Sequence, residues 1–75
     1  MEEVLNKEDA NYVVIFSEAY GLKRVIEKVY FHLDEEKDMR EMMHYIADNY
    51  SWLISTGMRI DMGKVINGAT VGGRR

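Results

Sequence analysis

The sequence lacks cysteine and proline, and it has no long hydrophobic run. Without cysteine, neither a disulfide framework nor a thiolate zinc site can reinforce the core, so stability has to come from apolar packing within the chain or between chains. The longest apolar run, residues 12–16, has five residues, whereas a bilayer-spanning helix needs about 20. The first residues also lack the basic and apolar regions of a signal peptide. We therefore expect a cytoplasmic protein with no membrane segment.

With 75 residues, the chain makes one small domain that buries roughly 60% of the surface that its unfolded form exposes. We expect this domain to span residues 1–71, followed by a flexible basic tail at 72–75. Residues 1–56 contain six Lys or Arg against twelve Asp or Glu, a balance of −6, while residues 57–75 contain four against one, a balance of +3. An acidic body disfavours non-specific binding to a phosphate backbone, so nucleic acid is an unfavoured partner.

Apolar side chains recur at helical spacing through the middle of the chain. One set predicts a helix over residues 22–33, and its members are Leu22, Val25, Ile26, Val29 and Leu33. A second set predicts a longer helix over residues 35–55, which begins after Asp34 as N-cap and ends before Gly57. The members of this second set are Met39, Met42, Met43, Ile46, Tyr50 and Leu53. With Asp34 alone between them, the two helices are expected to form a tight helical hairpin or a sharply kinked pair.

Residues 12–16 fit a buried strand or a buried helix segment, because periodicity cannot separate the two in so short a run. Asn6 as a cap and Gly21 as a terminator favour a helix over about 8–20. The fold that we predict is therefore mainly α: a small three-helix domain built on the helical hairpin. The alternative is an α+β fold, with a strand near 12–16 and a C-terminal hairpin that turns at Asn67-Gly68.

Candidate metal-binding and catalytic residues do not converge on one site. Glu41 and His44 have the Glu-x-x-His spacing of di-metal carboxylate bundles, and Asp48 follows one turn later. At about 100° per residue, these three side chains point roughly 140–200° away from the apolar face of the predicted helix, so we expect them to face solvent. The sequence contains no cysteine nucleophile, no patterned serine triad and no glycine-rich phosphate loop. We therefore predict no metal, no cofactor and no enzymatic activity.

A segment near the C-terminus indicates an alternative function. Residues 54–57, which read Ile-Ser-Thr-Gly, and the following residues 58–68 resemble the turn and recognition helix of phage-repressor helix-turn-helix proteins over about fifteen residues. Gly63 stands where that pattern has an apolar residue, which weakens the predicted helix. The resemblance implies a nucleic-acid-binding regulator that uses residues 42–68. Its phosphate contacts would be Arg59, Lys64, Arg74 and Arg75.

The two predicted helices have apolar residues on a second side as well. Tyr45 and Trp52 lie roughly 120–140° from the core face of the longer helix, and Phe31 points nearly opposite Val29 on the shorter one. Either the terminal segments of the chain wrap this second side, or another chain covers it. The predicted partner-binding residues are Phe31, Met42, Tyr45 and Trp52, whereas Ile26 and Ile46 are predicted core residues.

The sequence thus favours a non-enzymatic protein–protein interaction module that acts as a small regulator or inhibitor of a larger protein. We also expect it to form a homo-oligomer, most simply a homodimer. Accessory proteins of viruses and mobile elements offer an analogy, because they are often small and lack cofactor and catalytic motifs. Ordinary core packing of the same aromatic residues is the competing interpretation.

Overall fold

The structure is a computed structural model that describes residues 2–71. Five strands form one sheet, and two consecutive helices pack on one of its faces. The strands are β1 (Glu2–Val4), β2 (Tyr12–Ser17), β3 (Val25–His32), β4 (Arg59–Ile66) and β5 (Ala69–Val71). The helices are α1 (Lys37–Asn49) and α2 (Ser51–Ile54), and a 3-10 turn (Lys7–Asp9) lies between β1 and β2. The prediction of a mainly α fold is therefore wrong.

The strands are all antiparallel to their neighbours, in the order β1-β3-β2-β4-β5. Strand β2 lies in the centre, where Val14 stands opposite Val29 of β3 and Met62 of β4. Because β3 separates β1 from β2, the connection that contains the 3-10 turn has to cross β3. Because β2 separates β3 from β4, the connection formed by α1 and α2 has to cross β2. This second crossover brings the helices onto one face of the sheet.

The predicted helix over residues 22–33 is wrong, because most of this segment is strand β3. Residues four apart, such as Val29 and Leu33, share one side in a helix and also in extended chain, where four residues make two pleats. The alternation of buried and exposed side chains that is typical of a strand appears in the second half of β3, where Val29 and Phe31 are buried and His32 is exposed. Leu22 precedes the strand and is exposed. The β-branched and aromatic residues of this segment also favour a strand.

The predicted helix over residues 8–20 is also wrong, since the apolar run at 12–16 belongs to the central strand β2. Val13 and Val14 point to opposite faces and are both buried, so the run shows no polar alternation. The strand near 12–16 and the C-terminal hairpin of the alternative fold are confirmed. The hairpin turns at Asn67 and Gly68, whose φ angles of 52° and 82° are those that a tight Asn-Gly turn requires.

The predicted helix over residues 35–55 is confirmed in part. It divides into α1 and α2 at Tyr50, which leaves the helical region with φ −123°. Met42, Ile46 and Leu53 face the sheet, as their spacing predicted. The prediction succeeds here because one side of the helices packs and the other meets solvent.

The start of α1 is organised differently from the prediction that Asp34 caps it. The carboxylate of Asp38, inside the first turn, accepts hydrogen bonds from the backbone N–H groups of Asp34 and Glu35, at 2.8 and 3.1 Å. These two backbone bonds hold the pKa of Asp38 below its ordinary value. The side chain of Asp38 therefore ties the loop after β3 to the helix.

The main core lies between the helices and the sheet. Tyr50 stacks on Phe16 and Tyr45 meets Phe31 edge-on, with ring centroids 5.7 Å apart in both pairs. The buried members of the core are Val14, Phe16, Val29, Phe31, Met42, Ile46 and Leu53. On the opposite face of the sheet, Val13 is fully buried.

The structure buries Phe31 in the core and exposes Ile26, the opposite of the packing that the sequence predicted for each. Phe31 is in the core, so Phe31→Ala is expected to cost about 3–5 kcal/mol of unfolding free energy, because it leaves a cavity. Ile26 is 44% exposed, so Ile26→Ala is expected to cost about 1 kcal/mol or less. Urea denaturation followed by circular dichroism measures both losses of unfolding free energy. Phe31→Leu is a milder variant if Phe31→Ala does not fold. A larger loss for Ile26→Ala than for Phe31→Ala contradicts the strand assignment.

Candidate binding surfaces

Eleven large apolar side chains are exposed within the described part of the chain, and eight of them fall into two groups. One group follows the end of β2 and comprises Tyr20, Leu22, Val25 and Ile26. The other lies between the helices and β4 and comprises Met43, Ile54, Ile60 and Met62. Leu5, Trp52 and Ile66 belong to neither group. Contiguous apolar surface of this kind is typical of interaction sites, whereas single exposed residues are not.

The second group borders an apolar groove between the helices and β4. The register of the sheet places Ile60 beside Phe16 and Met62 beside Val14, so both β4 side chains share the face on which the helices pack. The groove encloses a volume of about 150 Å³, which is room for roughly one aromatic ring. It is lined by Val14, Met42, Met43, Ile46, Ala47, Ile54, Ile60 and Met62, none of which is charged. We call this surface the groove.

Two methionines of α1 shape the groove. Met42 is fully buried and belongs to the core, while its neighbour Met43 is about half exposed. Methionine is flexible and polarizable, so such walls adapt to the shape of an inserted side chain. The groove can therefore bind an apolar group, but its lining offers no acid, base or nucleophile for catalysis.

Tyr20 and Leu22 of the first group lie on the connection between β2 and β3, residues 18–24, which we call the hairpin tip, and Val25 and Ile26 begin β3. Its two ends are tied together, because the backbone N–H of Glu18 donates to the carbonyl of Arg24 at 2.9 Å. The carboxylate of Glu18 in turn accepts from the backbone N–H and the guanidinium of Arg24, both at 3.2 Å. The backbone bond first, and the guanidinium second, hold the pKa of Glu18 below its ordinary value.

These hydrogen bonds between Glu18 and Arg24, which we call the clamp, enclose a hairpin tip with a defined backbone. Gly21 and Lys23 have positive φ angles of 74° and 57°, which turn the chain sharply. Tyr20 and Leu22 consequently project outward, with 86% and 80% of their surface exposed. The pairing of β2 with β3 shifts by one residue between Phe16 and Ser17, which leaves Ile26 without a partner in β2. This is a β-bulge, a feature that changes the direction of side chains and is common near functional sites.

The predicted partner-binding residues lie in different environments. Phe31 and Met42 are buried in the core, and Met42 also lines the groove. Tyr45 is partly buried: its hydroxyl donates to the carboxylate of Glu3 in β1, and this bond is the main cause that raises the pKa of Tyr45 to about 12. Trp52 is 63% exposed on α2 and is not among the residues that line the groove. The role of these four side chains in binding stays a prediction.

The structure does not bring the predicted phosphate contacts together. Arg59 pairs with Ser17 and Lys64 with Tyr12, so the two side chains point to opposite faces of β4. Arg59 also forms an ion pair with Asp61 at 3.1 Å. The segment that the helix-turn-helix interpretation requires as a recognition helix is strand β4 and the turn after it, so that structural prediction is wrong. Arg74, Arg75 and the predicted tail at 72–75 lie outside the described residues.

The predicted metal candidates Glu41, His44 and Asp48 are exposed on α1. Within residues 2–71, no group of three or more His, Cys, Asp or Glu side chains could hold a metal ion. The helices of this same part of the chain are too short and too polar for any of them to cross a membrane. Comparison with protein-family models, with curated proteins and with solved structures gave no match to this chain. Function therefore has to be inferred from the two surfaces themselves.

The hairpin tip was missed by the sequence interpretation because Leu22 was assigned to a helix. A signal was nevertheless present, since Gly21 stands between two apolar runs rich in β-branched residues, an arrangement that predicts a hairpin connection. The groove had no such signal, because its walls come from four separate elements of the chain, β2, α1, α2 and β4.

The Glu18 clamp generates a test of the hairpin tip. We expect Glu18→Gln to accelerate hydrogen exchange at the backbone N–H of Arg24 while leaving the unfolding midpoint nearly unchanged, because the clamp is local and solvent-exposed. The folded-state pKa of Glu18 is lowered, so the clamp is fully present above the ordinary pKa of glutamate and is lost as the pH falls through the lowered value. Hydrogen exchange at the backbone N–H of Arg24, measured by NMR in both chains and over a range of pH, reports the effect of the substitution and the effect of protonation. Glu41→Gln is the matched control, and equal exchange at Arg24 in wild type and Glu18→Gln contradicts the clamp.

Proposed function

We propose that this protein is a non-enzymatic protein–protein interaction module whose hairpin tip inserts into a larger partner, which it regulates or inhibits. The observation that supports this proposal most directly is the clamped tip, which holds Tyr20 and Leu22 out into solvent. A loop that is already ordered loses little conformational entropy when it binds, so more of its contact energy appears as affinity. Tyrosine is also among the residues most enriched at the energetic centres of interfaces.

The chemistry of the hairpin tip indicates the kind of pocket that it fits. Tyr20 and Leu22 supply apolar surface, and Lys23 beside them supplies a cation, whereas the charge of Arg24 is already paired with Glu18. A complementary partner therefore has an apolar pocket with a carboxylate at its rim. This local chemistry differs from that of the acidic body, so the tip gives the chain a distinct recognition element.

A binding role accounts for the surfaces better than catalysis does. The groove is lined by uncharged residues only, and the acidic side chain of the hairpin tip, Glu18, is engaged in holding the loop. An active site needs convergent acids, bases or nucleophiles with room for a substrate. We also place the protein in the cytoplasm, a proposal that the absence of cysteine supports.

The proposal is tested by affinity capture from a lysate of the source organism, with the immobilised wild-type chain and quantitative mass spectrometry. We expect one partner to be retained by wild type and lost by the double variant Tyr20→Ala/Leu22→Ala, with binding at least about 30-fold weaker, as for an interface hot spot. Leu5→Ala is the matched control, because Leu5 is equally apolar and 98% exposed but lies away from the tip. Circular dichroism verifies that all three chains are folded. A set of captured proteins that the double variant leaves unchanged contradicts the proposal.

A further inference from the structure

We propose that the outer edge of β3, residues 25–29, binds an extended, positively charged segment of another protein as an added antiparallel strand. We call these five residues the open edge. The ligand pairs with the backbone of β3 and with side chains on its two faces, so this inference does not depend on the hairpin tip or on the function proposed above. It adds a second binding site, whose ligand is an extended peptide segment.

The open edge results from the unequal lengths of two neighbouring strands. Strand β3 has eight residues, whereas β1 has three, which pair only with residues 30–32 of β3. After Val4 the chain leaves the sheet towards the 3-10 turn, so no strand in the described part of the chain pairs with residues 25–29 on this side. A strand directs the backbone N–H and C=O groups of alternate residues to each side, and an unpaired side accepts an extended peptide.

Two charged side chains stand on the open edge. Glu27 and Lys28 are exposed, and as neighbours in a strand they point to opposite faces of the sheet. Within residues 2–71 neither of them forms an ion pair. Charged side chains on an edge prevent indiscriminate strand pairing, because an incoming strand has to supply the opposite charge at the facing position. The open edge is therefore selective for the charge pattern of its ligand.

The face of the open edge towards the helices is acidic. Glu27 stands opposite Phe16 and Glu3 opposite Phe31, so both carboxylates belong to the face on which the helices pack. Tyr50 lies close to both, since its ring stacks on Phe16 and its hydroxyl donates to Glu3 at 3.4 Å. Burial first, and then the carboxylates of Glu3 and Glu27, raise the pKa of Tyr50. A Lys or Arg of the added strand opposite Glu27 is consequently attracted by two carboxylates.

The charges favour a different protein over a second copy of this chain. A twofold axis through Glu27 or Lys28 of two antiparallel β3 strands places that charged residue opposite its own copy, which destabilises the pair. An axis through Ile26 uses the bulged end of the edge. Residues 1–56 also have a charge balance of −6, so two copies repel each other, whereas a cationic segment is attracted.

The test is selection from a library of random nine-residue peptides on the immobilised full chain, followed by affinity measurements with the enriched peptides in solution. We expect these peptides to contain a Lys or Arg among β-branched residues. Glu27→Lys should weaken their binding about 10-fold, because an attractive cross-strand pair becomes a repulsive one. Glu41→Lys is the matched control, since it makes the same charge change at an exposed position of α1 and should bind like wild type. Both substitutions are at exposed positions, so circular dichroism should show folded variants.

Two measurements with an enriched peptide separate strand addition from binding at the hairpin tip. Methylation of single backbone nitrogens along the peptide should abolish binding at alternate positions and spare those between them, as strand pairing requires. Hydrogen exchange followed by NMR should show that the peptide protects backbone N–H groups within residues 25–29. Tyr20→Ala/Leu22→Ala should leave peptide binding unchanged, so failure of partner capture through the tip does not affect this result. The proposal is overturned if no peptide is enriched, if Glu27→Lys binds as tightly as wild type, or if protection is confined to residues 18–24.

Discussion

A thirteen-residue helix has to cover one face of a five-stranded sheet, and the arrangement of the molecule depends on this mismatch. A helix with its side chains is about 10 Å wide and strands lie about 4.8 Å apart, so α1 covers roughly two strand spacings. Its contacts reach Glu3 of β1, Phe31 of β3 and the central strand β2. Strand β4 lies beyond this cover, and its apolar residues Ile60 and Met62 are left beside the helix as one wall of the groove.

The same partial cover accounts for the groove but not for the hairpin tip. The groove lies where Ile60 and Met62 of β4 extend beyond the cover of α1, whereas the tip is held outward by the hydrogen bonds between Glu18 and Arg24. The two apolar surfaces therefore have separate physical causes and come from separate parts of the chain.

The sequence predicted those elements in which one side packs and the other meets solvent. This holds for the helical segment with Met42, Ile46 and Leu53, and for the Asn67-Gly68 turn, whose backbone is dictated by its residues. It fails for β2, which is buried on both faces, and for β3, where a spacing of four fits helix and strand alike. Trp52 was correctly predicted to lie off the core face, whereas the groove depends on strand pairing that no local pattern encodes.

The central claim is that β2 lies between β3 and β4, with α1 over the side towards β3. NMR measurement of nuclear Overhauser contacts tests it most directly. The account predicts contacts from Val14 to both Val29 and Met62, and from the ring of Tyr45 to that of Phe31. Sequential amide contacts of a helix through residues 12–16, without contact between Val14 and Met62, would contradict it.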